Sequence, residues 1–241
     1  LGYLNLTKNK LKSKDKLQIK REQLAYRTSK HIIAHSPMIK NNLINLYNIP
    51  KEKVTCIYPP SDDTNFYKPL EQDIKHTQKQ YKISDSKTTL LFPSTGHKRK
   101  GLNFIIEALK QLPEDQFECL IAGNSPKNTN LPNNIKYIGY IKNLRNLYAS
   151  VNFTVLPAYI EPFGLVIIES IACGTPVITS PFVGANSLIK NNGLIMPELS
   201  VDCLVKTLKI AQTSKFQIDT HIIQNNKLTL ENHINKVLDI I

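Results

Sequence analysis

"FTVLPAYIEPFGLVIIESIACGTPVITS", residues 153 to 180, is the stretch whose reading decides the fold. "FTVLP" (153 to 157) is a short, apolar, β-prone run, and "PVITS" (176 to 180) is another. Between them the chain turns a corner at Glu161-Pro162-Phe163-Gly164 and then reads as an apolar helix. Two buried strands joined by a helix form the unit of a parallel sheet, because a parallel connection needs a long crossover. Two carboxylates interrupt this plan, with seven residues between them. Glu161 stands at the corner, and Glu169 stands among Ile167, Ile168, Ile171 and Ala172.

The same alternation extends outward on both sides. Strands are predicted at 88 to 94 ("TTLLFPS"), 117 to 123 ("FECLIAG"), 135 to 141 ("IKYIGYI") and 193 to 197 ("GLIMP"). Helices are predicted at 101 to 112, 144 to 151, 200 to 212 and 229 to 241. Toward the N-terminus, residues 15 to 29 carry Leu17, Leu24 and Tyr26 at helical spacing. "HIIAHS" (31 to 36) and "VTCIY" (54 to 58) read as strands, with a helix from Ser36-Pro37 to about Tyr47 between them. "PPSDDTNFYKP" holds three prolines among turn formers and reads as a linker. The whole predicts an α/β protein with a Rossmann-like parallel sheet covered by helices.

Composition narrows the partners. A 241-residue chain with 41% hydrophobic and 21% charged residues is that of a folded globular protein. Its formal net charge of +12 is uneven: residues 1 to 50 hold eight Lys and two Arg against Asp15 and Glu22, so 10 − 2 = +8. Such a cluster attracts nucleic acid, anionic lipid or phosphorylated substrate, or is simply a solvated helix face. Residues 8 to 21 contain no aromatic side chain among the lysines, which argues against nucleic acid. Cys56, Cys119, Cys173 and Cys203 are widely spaced, so reduced buried thiols in a cytoplasmic protein are expected, not a metal site or disulfide framework. No run approaches the roughly 20 apolar residues of a membrane span. The chain begins at Leu1 with no signal-peptide pattern and reads as a fragment.

Ligands of open parallel sheets sit where strands end and helices begin. "STGHKRKG" (94 to 101) puts Lys98, Arg99 and Lys100 just before a helix, an arrangement suited to an anion such as phosphate. It is neither a triphosphatase P-loop nor part of a Gly-x-Gly-x-x-Gly turn. At the second corner, the backbone N–H groups of Phe163, Gly164 and Leu165 open a helix, and Glu169 lies about 7.5 Å further along its axis. A phosphate on the helix start, hydroxyls on Glu169 and a reacting centre near Glu161 account for all three. A glycosidase acid/base pair of glutamates would leave the phosphate site unexplained. A carboxylate buried like Glu169 needs a partner, and its own helix supplies none. "SDD" (61 to 63) lies in the linker and reads as a turn, not a metal motif.

Glu161, seven residues and Glu169, followed by "SIACGTPVITS", resemble the donor-site signature of retaining glycosyltransferase family 4, of the GT-B fold. "FPSTGHKRKGLNFIIEALKQL" is similar to the family's phosphate loop, "LIAGNSP" to its glycine turn, and "IAHSPMIKNNLINLYNIPKEKVTCIYPPSDDTNFYKP" to its linker region. The resemblance covers roughly residues 25 to 200 and leans toward bacterial lipopolysaccharide-core and cell-surface sugar transferases. It implies residues 1–58 as the tail of an N-terminal acceptor domain, 59–69 as linker, 70–228 as the donor-binding domain and 229–241 as a closing helix. It implies hexose transfer from a UDP-, GDP- or ADP-sugar to a saccharide or lipid-linked acceptor, with retention and without metal or other cofactor. Arg99 and Lys100 then take the diphosphate, Glu169 the ribose, and Phe163, Gly164 and Leu165 the phosphate and sugar. Glu161 meets the donor sugar, and the base packs near Tyr140 and Ile141. An epimerase or hydrolase of the same fold, and an inactive nucleotide-binding remnant, are the alternatives. One departure stands out: "FVGANSLIKNNG" lacks the family's Gly-Gly and acidic residue, which leaves the sugar open. The cysteine pattern and the basic residues 8 to 21 together imply an expected cytoplasmic location, peripheral on an anionic membrane.

Overall fold

The computed structural model describes residues 12–127 and 129–240. Eight strands form two all-parallel sheets among the described residues. The larger contains β3 (Thr88–Ser94), β4 (Phe117–Gly123), β5 (Ile135–Tyr137), β6 (Phe153–Leu156), β7 (Val177–Thr179) and β8 (Gly193–Ile195). Its order is β5-β4-β3-β6-β7-β8, so the chain builds outward from β3 in one direction and then returns to build outward from β6 in the other. This is the doubly wound Rossmann order, and it confirms the expected α/β fold class of GT-B type.

Every residue of β3 and β4 is buried, which follows from their largely apolar composition and from helices on both faces, with Glu118 satisfied by Thr89 and Lys136. Leu90, Phe92, Cys119 and Ile121 point into one core with α5 (Leu102–Leu109) and α9 (Val201–Thr213). Leu91, Leu120 and Ala122 point into the other with Leu147 and Tyr148 of α6 (Arg145–Ala149). On that second face α7 (Leu165–Ala172) is tied to the sheet by Ser170 Oγ, which donates to Thr154 Oγ1 at 2.8 Å.

The smaller sheet pairs β1 (Ile32–Ala34) with β2 (Val54–Cys56) across the crossover helix α2 (Pro37–Tyr47). Ser36 caps α2 by accepting from Ile39 N–H at 3.2 Å, with Pro37 at the first helical position. Preceding them, α1 (Ser13–Thr28) is helical as its spacing suggests, yet none of its residues is buried. Leu17 and Leu24 are 50% and 64% exposed, and only Tyr26 packs inward, edge-on to Tyr47 at 5.0 Å. Residues 8 to 11 of the basic segment lie outside the described residues.

Four α-helical segments escape the sequence pattern, one of them the single turn α8 (Asn186–Ile189). α3 (Glu71–Tyr81) buries only Ile74 and Thr77, too few for a visible apolar stripe. α4 (His97–Lys100) is a single turn made of the basic residues themselves, and α10 (Ile222–Asn225) is equally short. The closing helix, α11, spans Leu230–Leu238. β5 ends at Tyr137, short of the predicted 141.

Gly101 joins α4 to α5 at φ +85°, and a Cβ there would lie 1.9 Å from Pro157 O, just past β6. The basic turn is thus pressed onto the exit of the neighbouring strand. Gly101→Ala is expected to cost more than about 2 kcal/mol of stability. Gly96→Ala, where a Cβ meets nothing within 4 Å, should stay within about 0.5 kcal/mol of the parent. Urea unfolding of both variants checks this, and equal losses would refute it.

Candidate functional site

The sheet order reverses between β3 and β6, and the loops leaving these strands depart to opposite faces. A crevice at such a switch point is the usual ligand position in parallel sheets. Here it holds two adjoining cavities. One, of ≈ 290 Å³, is lined by Phe66, Tyr140, Ile141, Lys142 and Glu169. The other, of ≈ 340 Å³, is lined by Arg99, Glu161, Phe163, Gly164 and Leu165. Thr95, Lys100 and Val166 belong to both. Nine of the ten residues singled out from the sequence therefore line one two-lobed cleft, with Lys100 at its waist; the tenth, Lys98, lines neither lobe, because it stands on the other side of the basic turn.

Lys100 reaches this place because Gly101 ends α4 in the left-handed conformation. Its Nζ donates to Pro93 O at 3.3 Å. Burial pulls its pKa down; Glu161 and Glu169 oppose that, and neighbouring Arg99 adds to it. A buried ammonium without a full counter-charge favours an anionic ligand.

Glu169 is the fifth residue of α7. Its missing partner is Tyr148, whose hydroxyl donates to Glu169 Oε2 at 2.8 Å. Burial pushes the Glu169 carboxyl up, and the Tyr148 hydrogen bond and Lys100 pull it partly back. The Tyr148 hydroxyl is itself held well above its ordinary range by burial and by Glu169. Sequence reading missed Tyr148, although the need of a buried carboxylate for a donor was the signal that one existed. Thr95, Phe66 and Lys142 were missed as well, since no motif marks them.

Arg99 has an unanticipated partner. Its Nη1 donates to Glu161 Oε2 at 2.9 Å and to Ile160 O at 2.8 Å. Among the described residues Nε and Nη2 have no partner, so part of the guanidinium fork remains open to a phosphate. The backbone joins in, since Tyr159 N–H donates to Arg99 O at 3.0 Å. Glu161 is held from the other side by Phe182 O and by Gly184 N–H, each at 2.9 Å from its backbone. The corner carbonyl of Pro162 accepts from Ser36 Oγ at 2.7 Å.

Gly164 caps α7 at φ +95°, a conformation that suits glycine and lets a ligand approach the first-turn N–H groups. Phe163 contributes backbone only, because its ring is buried against Tyr58 with centroids 5.4 Å apart. Tyr140 is 74% exposed on the rim of the first lobe. No group of three or more His, Cys, Asp and Glu could hold a metal among the described residues. Nor is any described helix long and apolar enough to cross a membrane.

The family model of the glycosyl transferases group 1 matches residues 73–229, well over half of the chain and all of the two-lobed cleft's main elements. The chain belongs to that family. A probable transglycosylase of Burkholderia thailandensis is 32% identical over 184 residues, covering 76% of this chain and 50% of that protein. The chain spans about half the length of the curated relatives it matches here. Among solved structures, Anabaena HepE in complex with UDP and glucose superposes with a TM-score of 0.76 at 20% identity, covering 95% of this chain and 67% of that one. WaaG, a glycosyltransferase involved in lipopolysaccharide biosynthesis, superposes with a TM-score of 0.75 at 20% identity, covering 93% and 62%. At these identities the structural likeness establishes the shared GT-B-type fold.

The titration of Glu169 has a stability signature in this group 1 member. Between the ordinary and the raised pKa, the folded state holds a proton that the unfolded state has released. Stability therefore falls as pH rises through that window. Glu169→Gln removes the charge and keeps an acceptor for Tyr148. The variant is expected to melt a few degrees above the parent at neutral pH, with the gap closing as pH falls below the window. Thermal melts across the acid range check this; a variant less stable than the parent at neutral pH would overturn it.

Proposed function

We propose that this chain forms the donor-binding part of a retaining hexosyltransferase of glycosyltransferase family 4. It moves a hexose from a nucleotide-diphosphate sugar to a hydroxyl of a glycan or lipid-linked saccharide, without a metal. The observation that carries the reading is the two-lobed cleft with Lys100 at its waist. The Tyr140-Ile141-Glu169 lobe suits a nucleoside, with the carboxylate accepting from ribose hydroxyls. The Arg99-Glu161-Gly164 lobe suits the sugar, and the waist between them suits the diphosphate. The Anabaena complex with UDP and glucose, on the same fold, supports this assignment. Residues 70–228 are then the donor domain, 1–58 belong to an acceptor domain, 59–69 link the two, and 229–241 close the fold.

In this reading the chemistry is electrostatic. As the bond to the anomeric carbon breaks, charge gathers on the diphosphate oxygens. Lys100, the open edge of Arg99 and the N–H groups at the start of α7 are already aimed there and need little reorganisation. Glu161, clamped by Arg99, faces the sugar and orients it, and the acceptor hydroxyl attacks on the face that the diphosphate leaves. The base, the sugar and the acceptor follow from contacts beyond these residues.

Calorimetric titration with UDP-glucose and GDP-mannose tests the assignment. Lys100→Ala and Glu169→Ala are each expected to weaken binding about tenfold or more, the worth of a charge-assisted hydrogen bond. Arg99→Lys should retain more affinity than Arg99→Ala. Absence of binding to any nucleotide sugar would refute the reading, and sugar release without acceptor would favour a hydrolase.

A cytoplasmic position at an anionic membrane face belongs to the same proposal. It is supported by α1, where exposed Leu17 and Leu24 stand among Lys14, Lys16, Lys20 and Arg21. Sedimentation with phosphatidylglycerol vesicles should be strong at low salt and lost near 1 M salt, where screening shortens to about 3 Å. Salt-independent binding, or none, would remove the membrane from the proposal.

A further inference from the structure

Beside the cleft lies a second and larger chamber, of ≈ 660 Å³, between α5 and the loop that follows β4. The wall between the two is thin and made of two segments. On α4, His97 and Lys98 line the chamber, whereas Arg99 and Lys100 line the cleft. On the segment leaving β6, Tyr159 lines the chamber and Glu161 the cleft. Tyr159 N–H, bonded to Arg99 O at 3.0 Å, stitches the segments together.

The lining of the chamber selects its occupant. Leu102 and Ile106 are buried and form an apolar floor. The Tyr159 ring packs against Phe104 with centroids 5.2 Å apart and supplies an aromatic wall. Lys98 and Lys127, both exposed, stand at its rim, and among the described residues no carboxylate lines the space and neither lysine is ion-paired. Asn103 and Ser125 add neutral hydrogen-bonding groups. His97 is wall and not ligand: Nδ1 meets Ser94 Oγ at 3.0 Å and Nε2 meets Asn124 O at 2.8 Å. Among the described lining residues a metal ion finds no carboxylate or free imidazole, and a bare hydrocarbon would make no use of the two exposed lysines. A nucleoside would find no carboxylate for its ribose. What fits is a pyranose, whose apolar face covers an aromatic ring, carrying a dianionic group that matches two lysines. The volume lies within the about 300–1,000 Å³ usual for small-molecule sites.

We propose that this chamber is a binding site for a phosphorylated sugar unit, separate from the nucleotide-sugar cleft. Resting on the function proposed above, it holds the phosphate-bearing unit of the acceptor next to the end of the cleft where Glu161 stands. The acceptor's anion is thereby kept away from Arg99 and Lys100, which would otherwise bind it in competition with the diphosphate. The shared wall also lets occupancy of one space be felt in the other through the Tyr159–Arg99 hydrogen bond.

The test is calorimetry on the 241-residue chain with glucose 6-phosphate, glucose and inorganic phosphate, and in parallel with UDP. Glucose 6-phosphate should bind about tenfold more tightly than either glucose or phosphate. Lys98→Ala and Lys127→Ala should each weaken it about tenfold while changing UDP affinity less than about twofold, because each removes one charge-assisted contact to the sugar phosphate and none to the nucleotide. Glucose 6-phosphate should still bind when UDP is saturating. No binding, phosphate binding as tightly as the sugar phosphate, displacement by UDP, or indifference to Lys98→Ala would each overturn the site. Loss of UDP binding alone would overturn the donor reading and leave the chamber standing, so the two failures are told apart.

Discussion

Everything in the site depends on how briefly β3 and β6 touch. The two strands pair only at Leu90–Phe153 and Leu91–Thr154, whereas β3 stays paired with β4 for its full seven residues. Past Leu91 the last turns of β3 and β6 diverge, and their loops leave toward opposite helical layers. A sheet that kept pairing to the end would have no crevice. One that reversed elsewhere would bring different loops together. The short pairing is what lets a basic turn from one loop meet an acidic corner from the other.

That meeting is electrostatically unfinished. Lys100 and Glu169 are both buried enough for desolvation to push each away from its charged form. Arg99 and Glu161 satisfy one another at the rim, where the arginine side chain is 42% and the glutamate 13% exposed. The rim pair is held in place by backbone on both sides, which makes Glu161 a preset group. The inner pair is a reservoir of unfavourable burial that an anionic ligand with hydroxyls would relieve. A buried carboxylate kept where glutamine would stabilise the fold runs against stability, and such opposition is typical of functional positions.

How much of this was legible depended on the range of the signal. β3 and β4 were readable to the residue because a fully buried parallel strand carries apolar residues on both faces, as Leu90-Leu91-Phe92 and Cys119-Leu120-Ile121-Ala122 do. α2 was readable because Ser36-Pro37 spells a helix start within two residues. α3 was not, since a helix that buries Ile74 and Thr77 alone leaves no periodicity to find. The basic turn was not readable as a helix, because four consecutive basic residues carry no pattern. Tyr148 and the Arg99–Glu161 pair are failures of another kind. Their partners lie 21 and 62 residues apart, and only the packed sheet reveals that such positions meet.

The corner at Glu161 also ties the first sheet to the site. Ser36, the cap of α2, spends its hydroxyl hydrogen on Pro162 O while still accepting from Ile39 N–H. Tyr58, just beyond β2, packs on Phe163 and bonds through its carbonyl to His233 of α11. Gly184 allows this approach, because a Cβ there would lie 2.0 Å from Pro162 O and 2.6 Å from Ser36 Oγ. The Glu161 corner is therefore clamped between residues far apart in the chain, and a shift of α2 must move Pro162 or break its hydrogen bond. The placement of Glu161 in the lobe lined by Arg99 and Gly164 is thus a property of both sheets, which the β6–α7 unit alone could not fix.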